Sequence, residues 1–426
     1  MIGDPRTNTP LEATPPGERA DPSALALPEA RRRLLAAVAP VTGTEVLALA
    51  RAVGRTLARD VHAGLDVPPF RASAMDGWAL RAREAGAPLR VVGTSLAGHP
   101  GPDRLGPNEC VRITTGARVP DDADAVVQQE NAERADGGEV RVTVPPAPGH
   151  HVRDAGSDSR RGERIAAAGE PLGAALVATL AAHGLARVEV VRPVRVALLS
   201  TGDELREPGE ALGPGEVHDA NRPLLAGLLA GAGIEIVDLG IVRDAPEALA
   251  RALDARDDVD AWVSSGGVSV GEADHVRDAL GAGGEVVFWK VAMKPGRPLA
   301  FGRVRGRPWF GLPGNPVSAA VTSLLLVRPA LARLAGRSPV EPHGIEARVA
   351  GAFRKVPGRL EFQRGVLGTA SDGGRVVADA GLQESHGLRA LARANCLVEL
   401  PATSEGAAEG ERVIVHPFES FAESPL

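Results

Sequence analysis

Hydrophobic residues recur with different periods along the chain, and each change of period marks a new segment. Between residues 28 and 62 they recur at helical spacing in two groups separated by Pro40 and Gly43, which predicts two helices. From 66 to 155, short β-branched runs between Gly, Pro and Asp clusters predict a small all-β module. Helical spacing returns between 160 and 192.

A regular alternation of strand-like and helix-like runs begins at residue 193. The continuous apolar run 194–200 is typical of a strand covered on both faces, and a long apolar helix is predicted over 316–334. This alternation predicts a three-layer α/β domain with a parallel sheet, whose ligands bind at the carboxyl ends of the strands. Residues 340–420 contain short strands between glycine-rich turns, which predicts a separate small β domain.

Composition narrows the class of function. A chain of 426 residues should form several domains, and 44% hydrophobic with 24% charged residues is ordinary for a globular protein. The net charge of −6 does not favour nucleic acid as a partner. No apolar run is judged long enough to span a membrane and no signal-like segment is evident, so we expect a cytoplasmic protein without membrane partners. The Pro- and Gly-rich residues 1–22 predict a disordered tail.

The two cysteines offer no evident nucleophile or metal site. Cys110 and Cys396 are far apart and lie outside any metal-ligand spacing. We expect both to be buried, in a protein of a reducing compartment.

Lysine is rare in this chain. Only three of the 48 basic residues are lysines, and Lys290 and Lys294 lie four positions apart in the segment 288–298. A compact ammonium beside a Gly-Pro turn suits a small tetrahedral oxyanion or a phosphate, whereas arginine presents a planar fork. Chance survival of two lysines on a solvated strand end is the alternative.

Acidic residues follow the strands of the predicted α/β domain. Glu204 and Asp244 follow its first and second strands, and Asp274 opens the helix after the third. Because the carboxyl ends of parallel strands meet at one edge, the three carboxylates are expected to gather on one rim. Such a rim beside an anion-binding loop suits Mg²⁺ bridging to phosphate, although each residue taken singly is more typical of helix capping.

Two loops of this domain can hold anions. In the loop 264–274, two adjacent glycines expose backbone N–H groups that can bind phosphate. The loop 311–318 leads into a helix, whose N-terminus attracts anions and which Asn315 can cap. The candidate substrate-binding residues are Ser265, Gly266, Gly267, Ser269, Pro313, Gly314, Asn315 and Pro316. Taken alone, the loop 311–318 is typical of the start of a helix. Together with the turn that contains Lys294, it is predicted to form an oxyanion pocket, of which each segment provides half.

Polar turns in the β-rich region are weaker candidates. They contain Asp76, Thr115 and Asp158, and composition alone favours ordinary hairpin turns at all of them.

Several segments nevertheless occur in an order that resembles one family. They are 73–78, 115–120, 200–205, 264–274, 290–298 and 312–318. Over about residues 25–420 the chain resembles the molybdopterin molybdenumtransferases, the molybdenum insertase family that includes the C-terminal part of gephyrin. The segments 264–274 and 290–298 belong to none of the common nucleotide-binding fingerprints, which makes the resemblance specific.

The resemblance implies an elongated homodimer of four-domain chains. The implied parts are a discontinuous helical domain (23–65 and 156–192), a β module that interrupts it (66–155), an α/β molybdopterin-binding domain (193–337) and a C-terminal small β domain (338–426).

It also implies a reaction, in which molybdate enters adenylated molybdopterin and Mg²⁺-dependent hydrolysis releases AMP and molybdenum cofactor. The family's site lies between the α/β domain of one subunit and the β module of the other. The implied catalytic residues are Asp76, Thr115, Asp158, Glu204, Asp244, Asp274, Lys290 and Lys294, with Asp244 and Asp274 nearest Mg²⁺. The implied molybdate ligands are Lys294, Arg297, Pro298, Ser318, Arg364 and Ser385.

Two other functions compete with the insertase. A molybdopterin adenylyltransferase uses a related α/β domain, but a Thr-Gly-Gly-Thr-Gly type of loop would favour it, whereas this chain has Gly-Gly-Val-Ser-Val in the loop 264–274. A non-catalytic scaffold would tolerate loss of the acidic rim and the lysines. Candidate protein partners are a molybdopterin adenylyltransferase that supplies the substrate and the downstream factors that mature molybdoenzymes.

Overall fold

The computed structural model describes residues 24–231, 233–266, 285–337 and 343–421. The predicted tail of residues 1–22 lies outside these residues, and so does the start of the helix predicted to open at Asp274.

The described residues form helices and strands that we number in chain order. The helices are α1 (Leu27–Ala37), α2 (Ala174–Ala182), α3 (Asn221–Leu229), α4 (Pro246–Asp254), α5 (Pro316–Leu334) and α6 (Leu388–Arg393). The strands are β1 (Thr44–Ala48), β2 (Val61–His62), β3 (Ala72–Ser73), β4 (Gly77–Leu80), β5 (Leu89–Ser95), β6 (Glu109–Ile113), β7 (Ala125–Gln128), β8 (Ala132–Ala135), β9 (Glu139–Val142), β10 (Val152–Arg153), β11 (Arg164–Ala166), β12 (Arg187–Val191), β13 (Val194–Thr201), β14 (Leu205–Arg206), β15 (Val217–His218), β16 (Ile234–Val242), β17 (Ala261–Ser265), β18 (Glu285–Lys290), β19 (Met293–Lys294), β20 (Pro298–Val304), β21 (Arg307–Leu312), β22 (Ile345–Ala350), β23 (Phe353–Arg354), β24 (Leu360–Thr369), β25 (Arg375–Asp379), β26 (Cys396–Leu400), β27 (Gly406–Ala407) and β28 (Arg412–Pro417).

The segment after α1 differs from its prediction. A second helix was expected there, but residues 44–48 form β1, which pairs antiparallel with β12 along its whole length. The helical spacing of its apolar residues is misleading, because Val46 and Val53 are each about half exposed and do not share a buried face. Pairing with a strand about 140 residues away decides the conformation, and no local pattern carries that information.

The predicted all-β module is confirmed. Its sheet has the order β7-β4-β6-β5-β9-β8, with β5 and β6 parallel and the other pairs antiparallel. Separate apolar clusters include Trp78 and Leu80 in one and Ala79 and Val111 in the other, as expected when alternate residues of a strand face opposite sides.

The α/β domain has the three predicted layers around the sheet β16-β13-β17-β21-β20-β18. Helices α1, α3 and α5 pack on one face, and α4 packs on the other. The prediction of an all-parallel sheet is wrong at one edge, where β20 and β18 run antiparallel. The cause is local. Arg305 and Gly306, both at positive φ, form a two-residue hairpin turn, so β21 must run antiparallel to β20.

Helix α5 is the most buried helix of this domain. It has the length and composition of a membrane span, contrary to the expectation from sequence, but 89% of its apolar window is buried inside the protein, as in a core helix. A π-helical stretch, Ser323–Val327, interrupts it just before Pro329. Because Pro329 has no N–H to offer Leu325, that carbonyl accepts a hydrogen bond from Arg31 Nε instead (3.1 Å).

The C-terminal domain is a small closed β barrel, which agrees with the predicted β domain. Strands β24, β25, β22, β28 and β26 follow one another, and β26 pairs back onto β24. Strand β19 of the preceding domain extends this sheet by pairing with β24, so that Met293 lies opposite Leu360 and Lys294 opposite Glu361.

A shared core joins the barrel to the α/β domain. Phe362, Leu397 and Phe421 from the C-terminal region belong to the same buried cluster as the apolar residues of α5. The barrel is therefore held in place by packing as well as by strand pairing.

Phe362→Ala should loosen this junction, because Phe362 is 1% exposed and its removal leaves a cavity in the buried cluster that also contains α5. A loss of about 3–5 kcal/mol is typical for such a change. We expect faster hydrogen exchange in both β24 and α5. Val366→Ala, on the same strand but 37% exposed, is the control and should leave exchange in α5 unchanged. Equal effects of the two variants would contradict a shared core.

Candidate functional site

One edge of the α/β sheet collects most of the predicted site residues. Ser200 lies opposite both Ile241 and Ser265, and Ser265 lies opposite Leu312, so four parallel strands end together. Because β20 runs antiparallel to both β21 and β18, the start of β20 and the end of β18 lie at this same edge. Lys290 is opposite Pro298 there, and the Lys290 side chain is exposed.

The acidic residues occupy one end of this edge. Glu204 is exposed and Asp244 is half-buried, and the Asp244 N–H donates to Asp203 Oδ1 at 3.4 Å. Helix α4 begins after Ala245 without a side-chain cap, so the capping alternative for Asp244 is not seen. Asp274 lies outside the described residues.

Among the residues that the structure describes, no three His, Cys, Asp or Glu side chains are close enough to hold a metal ion together. Mg²⁺ is usually held by one or two carboxylates plus substrate phosphates rather than by an all-protein cage. Asp244, half-buried at this edge, would be one such carboxylate.

The middle of the edge is built from glycines. Gly266 has φ +88°, and a Cβ there would overlap the Thr201 carbonyl oxygen, so the loop needs glycine at this position. Its N–H donates to Leu312 O at 3.1 Å, and a Cβ built on Gly314 would lie 3.9 Å from the Gly266 Cα. The two anion-binding loops therefore touch. Gly267 and Ser269 lie outside the described residues.

Asn221 connects the two loops, and it was not among the predicted site residues. Its Nδ2 donates to Ser265 Oγ and to Gly314 O, each at 2.7 Å. Asn221 is the first residue of α3, and Asp219 Oδ1 accepts its backbone N–H at 3.1 Å. A polar amide and an arginine at the start of a helix that is apolar from Pro223 onward were the available sequence signal.

A cluster of charges fixes the start of α3. The Arg222 guanidinium contacts Asp219 at 3.1 Å, Asp238 at 2.6 Å, and Glu207. Burial lowers the pKa of Arg222, but its hydrogen bonds to Asp238, Asp219 and Glu207 outweigh that effect and raise it. Arg222 therefore stays charged and anchors the helix whose first residue holds both loops.

The cationic residues line a cleft of about 610 Å³ between the α/β domain and the barrel. Its walls are Met293, Lys294, Pro295, Gly296, Arg297, Pro298, Ser318, Arg354, Arg359, Glu361, Gln363, Gln383, Glu384, Ser385 and His386. Of the predicted molybdate ligands, five are in this lining and Arg364 is not. The 354–363 side of the cleft was missed, because barrel strands far along the chain bring it there.

Arg364 is fully buried below the cleft wall. Its Nη2 donates to Leu382 O at 2.8 Å and to Glu384 O at 3.1 Å. Burial lowers the pKa of Arg364, while nearby carboxylates oppose that shift. In this arrangement Arg364 supports the loop that carries Ser385.

The segment 313–318, which leads into α5 and forms its first residues, joins the glycine loops to the cleft. Gly314 touches the Gly266 loop, and Ser318 lines the cleft. Asn315 is at the N-cap position, but its side chain makes no capping hydrogen bond; the Val317 N–H instead donates to Ser385 O at 3.1 Å. The acidic end and the cationic cleft are thus parts of one continuous edge.

The third lysine is close to the same cleft. Lys355 Nζ donates to Pro401 O at 2.9 Å and to Ser404 O at 3.0 Å. Burial lowers the pKa of Lys355, the negative charge of Glu361 opposes that effect, and the positive charge of Lys294 adds to it. Because lysine is rare in this chain, the sequence also offered a reason to consider Lys355 as a residue near the site.

In the β module, Asp76 and Thr115 are brought together by their turns. Asp76 Oδ1 accepts the Thr115 N–H at 2.7 Å and the Thr115 hydroxyl at 3.0 Å. The backbone bond and then the hydroxyl bond hold the pKa of Asp76 below its usual value. Asp158 lies in a different loop, exposed, with its Oδ2 3.5 Å from Ser159 Oγ.

Both cysteines are buried and unpaired, as predicted. Burial raises the pKa of the Cys110 thiol to about 12 and that of Cys396 to about 11. Neither thiol is a ready nucleophile near neutral pH.

The fold and this edge together define a multidomain protein built around a three-layer α/β domain whose glycine loops and cationic cleft lie along one edge of its sheet. The chain matches the family models for the MoeA N-terminal region (domain I and II) over residues 25–184, a probable molybdopterin binding domain over 197–333 and the MoeA C-terminal region (domain IV) over 346–418.

Relatives along the whole chain agree with these matches. The molybdopterin molybdenumtransferase of Haemophilus influenzae is 37% identical, over 92% of this chain and 98% of the relative. Molybdopterin molybdenumtransferase 2 of Mycobacterium tuberculosis is 36% identical, over 90% and 96%. A crystal structure of the Pyrococcus horikoshii molybdopterin biosynthesis MoeA protein, 33% identical, superposes with a TM-score of 0.74 over 93% of this chain and 99% of that one.

The chain belongs to the molybdopterin molybdenumtransferase family. It is therefore a transferase of molybdenum cofactor biosynthesis, and the family and fold class predicted from its motifs are confirmed.

Asn221→Ala should release the two loops from each other, because it removes the donor shared by Ser265 and Gly314. Losing such buried bonds costs about 1–3 kcal/mol. We expect faster hydrogen exchange in residues 312–318 and weaker binding of the pterin substrate. Asn395→Ala is a matched control, since Asn395 bonds both backbone groups of Leu367 in the barrel. If both variants leave residues 312–318 equally protected, Asn221 does not position the loops.

Proposed function

We propose that the protein inserts molybdate into adenylated molybdopterin and hydrolyses the phosphoanhydride, releasing AMP and molybdenum cofactor. The supporting observation is the segment 313–318, which touches the glycine loop at one end and lines the cationic cleft at the other. Strands in a sheet are about 4.8 Å apart, so the four spacings from β16 to β20 extend about 19 Å. An edge of that length suits an elongated substrate whose diphosphate binds at the glycine loops while an oxyanion binds in the cationic cleft.

The oxyanion is proposed to bind in the cleft. Molybdate is a dianion that needs cations and hydroxyl donors. Its proposed ligands are Lys294, Arg297, Pro298, Ser318 and Ser385, which line the cleft. Lys290, at the same edge, is proposed to attract the substrate's anions. Arg364 is proposed to act through the loop of Ser385.

The diphosphate is proposed to bind across the glycine loops. The N-terminus of α5 favours negative charge there, while the Gly266 N–H donates to Leu312 O and holds the two loops together. The proposed substrate residues are Ser265, Gly266, Gly267, Ser269, Pro313, Gly314, Asn315 and Pro316. Asp244 and Asp274 would hold Mg²⁺, with Glu204 beside them; a bound Mg²⁺ neutralises charge that develops on the phosphate oxygens.

A second copy of the chain is proposed to complete the site. Asp76 and Thr115 form a hydrogen-bonded pair at an exposed turn, and Asp158 is exposed in the loop that follows the β module. Exposed, pre-arranged polar groups of this kind suit contact with a substrate held by another subunit. A homodimer would bring these residues in trans to the edge of the α/β domain.

The proposed setting is the cytoplasm, which the free thiols of Cys110 and Cys396 favour because they fit a reducing compartment. A molybdopterin adenylyltransferase is the proposed donor of the substrate, and maturation factors of molybdoenzymes are the proposed recipients of the product.

Asp244→Ala and Asp274→Ala should bind adenylated molybdopterin but release AMP at least about a hundredfold more slowly, as expected when a charge-stabilising group is lost. Chromatographic measurement of AMP over time, with substrate binding measured separately, makes the test. Glu346→Ala, an exposed barrel carboxylate paired with Arg412, should release AMP at the wild-type rate. Normal AMP release by both aspartate variants would refute their role.

Lys294→Arg should need roughly tenfold more molybdate, because the charge is kept while the compact ammonium is replaced by a planar fork. The molybdate concentration dependence of cofactor formation measures this effect. Arg412→Lys on the barrel surface is the charge-preserving control. An unaltered molybdate dependence in Lys294→Arg would count against an oxyanion pocket at this lysine.

A further inference from the structure

The cationic cleft contains one buried carboxylate that the proposed reaction does not use. Glu361 is 4% exposed, although it lines a cleft whose walls also carry Lys294, Arg297, Arg354 and Arg359. Burying a carboxylate is costly unless it is paired and hydrogen-bonded. A negative charge at this place also repels any anion that enters, so packing alone does not explain its presence.

The partners of Glu361 are specific. Its Oε1 lies 3.4 Å from Lys294 Nζ and accepts a hydrogen bond from Gln363 Nε2 at 2.9 Å. Gln363 is held in turn by donating to Arg354 O at 2.7 Å. Pairing of β19 with β24 places Lys294 directly opposite Glu361, so the contact is built into the junction of the two domains.

The charge of Glu361 reaches beyond this pair. Its negative charge acts to raise the pKa of the half-buried Lys355, against the effects of burial and of Lys294. The negative charge of Glu361 thus acts on two of the three lysines of the chain, Lys294 and Lys355. The other carboxylate in the cleft lining, Glu384, is exposed to solvent.

We propose that Glu361 is an internal counter-anion of the cleft, which attracts Lys294 until an incoming tetrahedral oxyanion replaces Glu361 as the partner of the ammonium. The separation of 3.4 Å exceeds the roughly 2.7–2.9 Å of a tight charge-assisted hydrogen bond, so the ammonium is attracted without being locked. An oxyanion that binds Lys294 must compete with this carboxylate and is repelled by it. Glu361 therefore sets the affinity of the cleft for oxyanions. That the oxyanion is molybdate rests on the proposed function.

Glu361→Gln keeps the shape and removes the charge, so it should tighten oxyanion binding by roughly tenfold, as expected for removing a charge a few ångströms from the ligand. Equilibrium dialysis with labelled molybdate, and separately with labelled sulfate, measures the affinity of the full-length protein. Molybdate and sulfate should both bind more tightly, because the effect depends on charge and both are dianions. A purely structural role, in which Glu361 only holds Lys294 in place, predicts the reverse, a loss of affinity.

The matched control is Glu399→Gln, which removes the same charge from the same barrel at a residue bonded to His416 at 2.7 Å. It should leave both affinities unchanged. If Glu361→Gln does not fold, Glu361→Asp tests the same idea, since it withdraws the carboxylate from Lys294 and should tighten binding by a few-fold.

The outcomes separate this inference from the proposed function. Unchanged or weaker binding of both dianions in the Glu361 variants, relative to wild type and to Glu399→Gln, overturns the counter-anion, and so does the absence of oxyanion binding in every form. Tighter binding without any molybdate-dependent cofactor formation by the wild type would uphold the counter-anion while refuting the proposed reaction.

Discussion

The buried position of helix α5 is the constraint on which both parts of the site depend. The residues that lead into it contact the loop of Gly266, and its first turn places Ser318 in the cleft. The helix packs against α1 and α3 and shares a buried cluster with barrel residues such as Phe362, in an interior that tolerates little displacement. The relative placement of the glycine loops and the cationic cleft is therefore a property of the core.

The cleft itself is poorly stabilised by its own charges. Lys294 and Lys355 repel each other, and Lys355 is also partly desolvated. Glu361 offsets part of this repulsion, but only by being buried itself. The strand pair β19–β24 and the shared apolar core stabilise the cleft, which its own charges do not. A locally unfavourable arrangement supported by distant packing is typical of functional sites.

Prediction from sequence succeeded where the information is local. The family was recognisable because its motifs, among them the loop before α5 and the lysine-containing turn, are contiguous segments. The buried strands of the α/β domain were also evident, because a strand covered on both faces is apolar throughout. Prediction failed for the conformation of β1, which depends on pairing with β12. It also failed for the direction of β20, which the two-residue hairpin sets.

The amino-acid sequence alone was enough to predict the family and the α/β and β architecture, because the family depends on short contiguous motifs and the architecture on the spacing of apolar residues within each segment. The folded chain was needed to show that Asn221 joins the two loops, that Arg364 supports a loop instead of lining the cleft, and that Glu361 faces Lys294. These contacts join residues about 20 to 90 positions apart, and the closing of a sheet or barrel sets them, which no local period encodes.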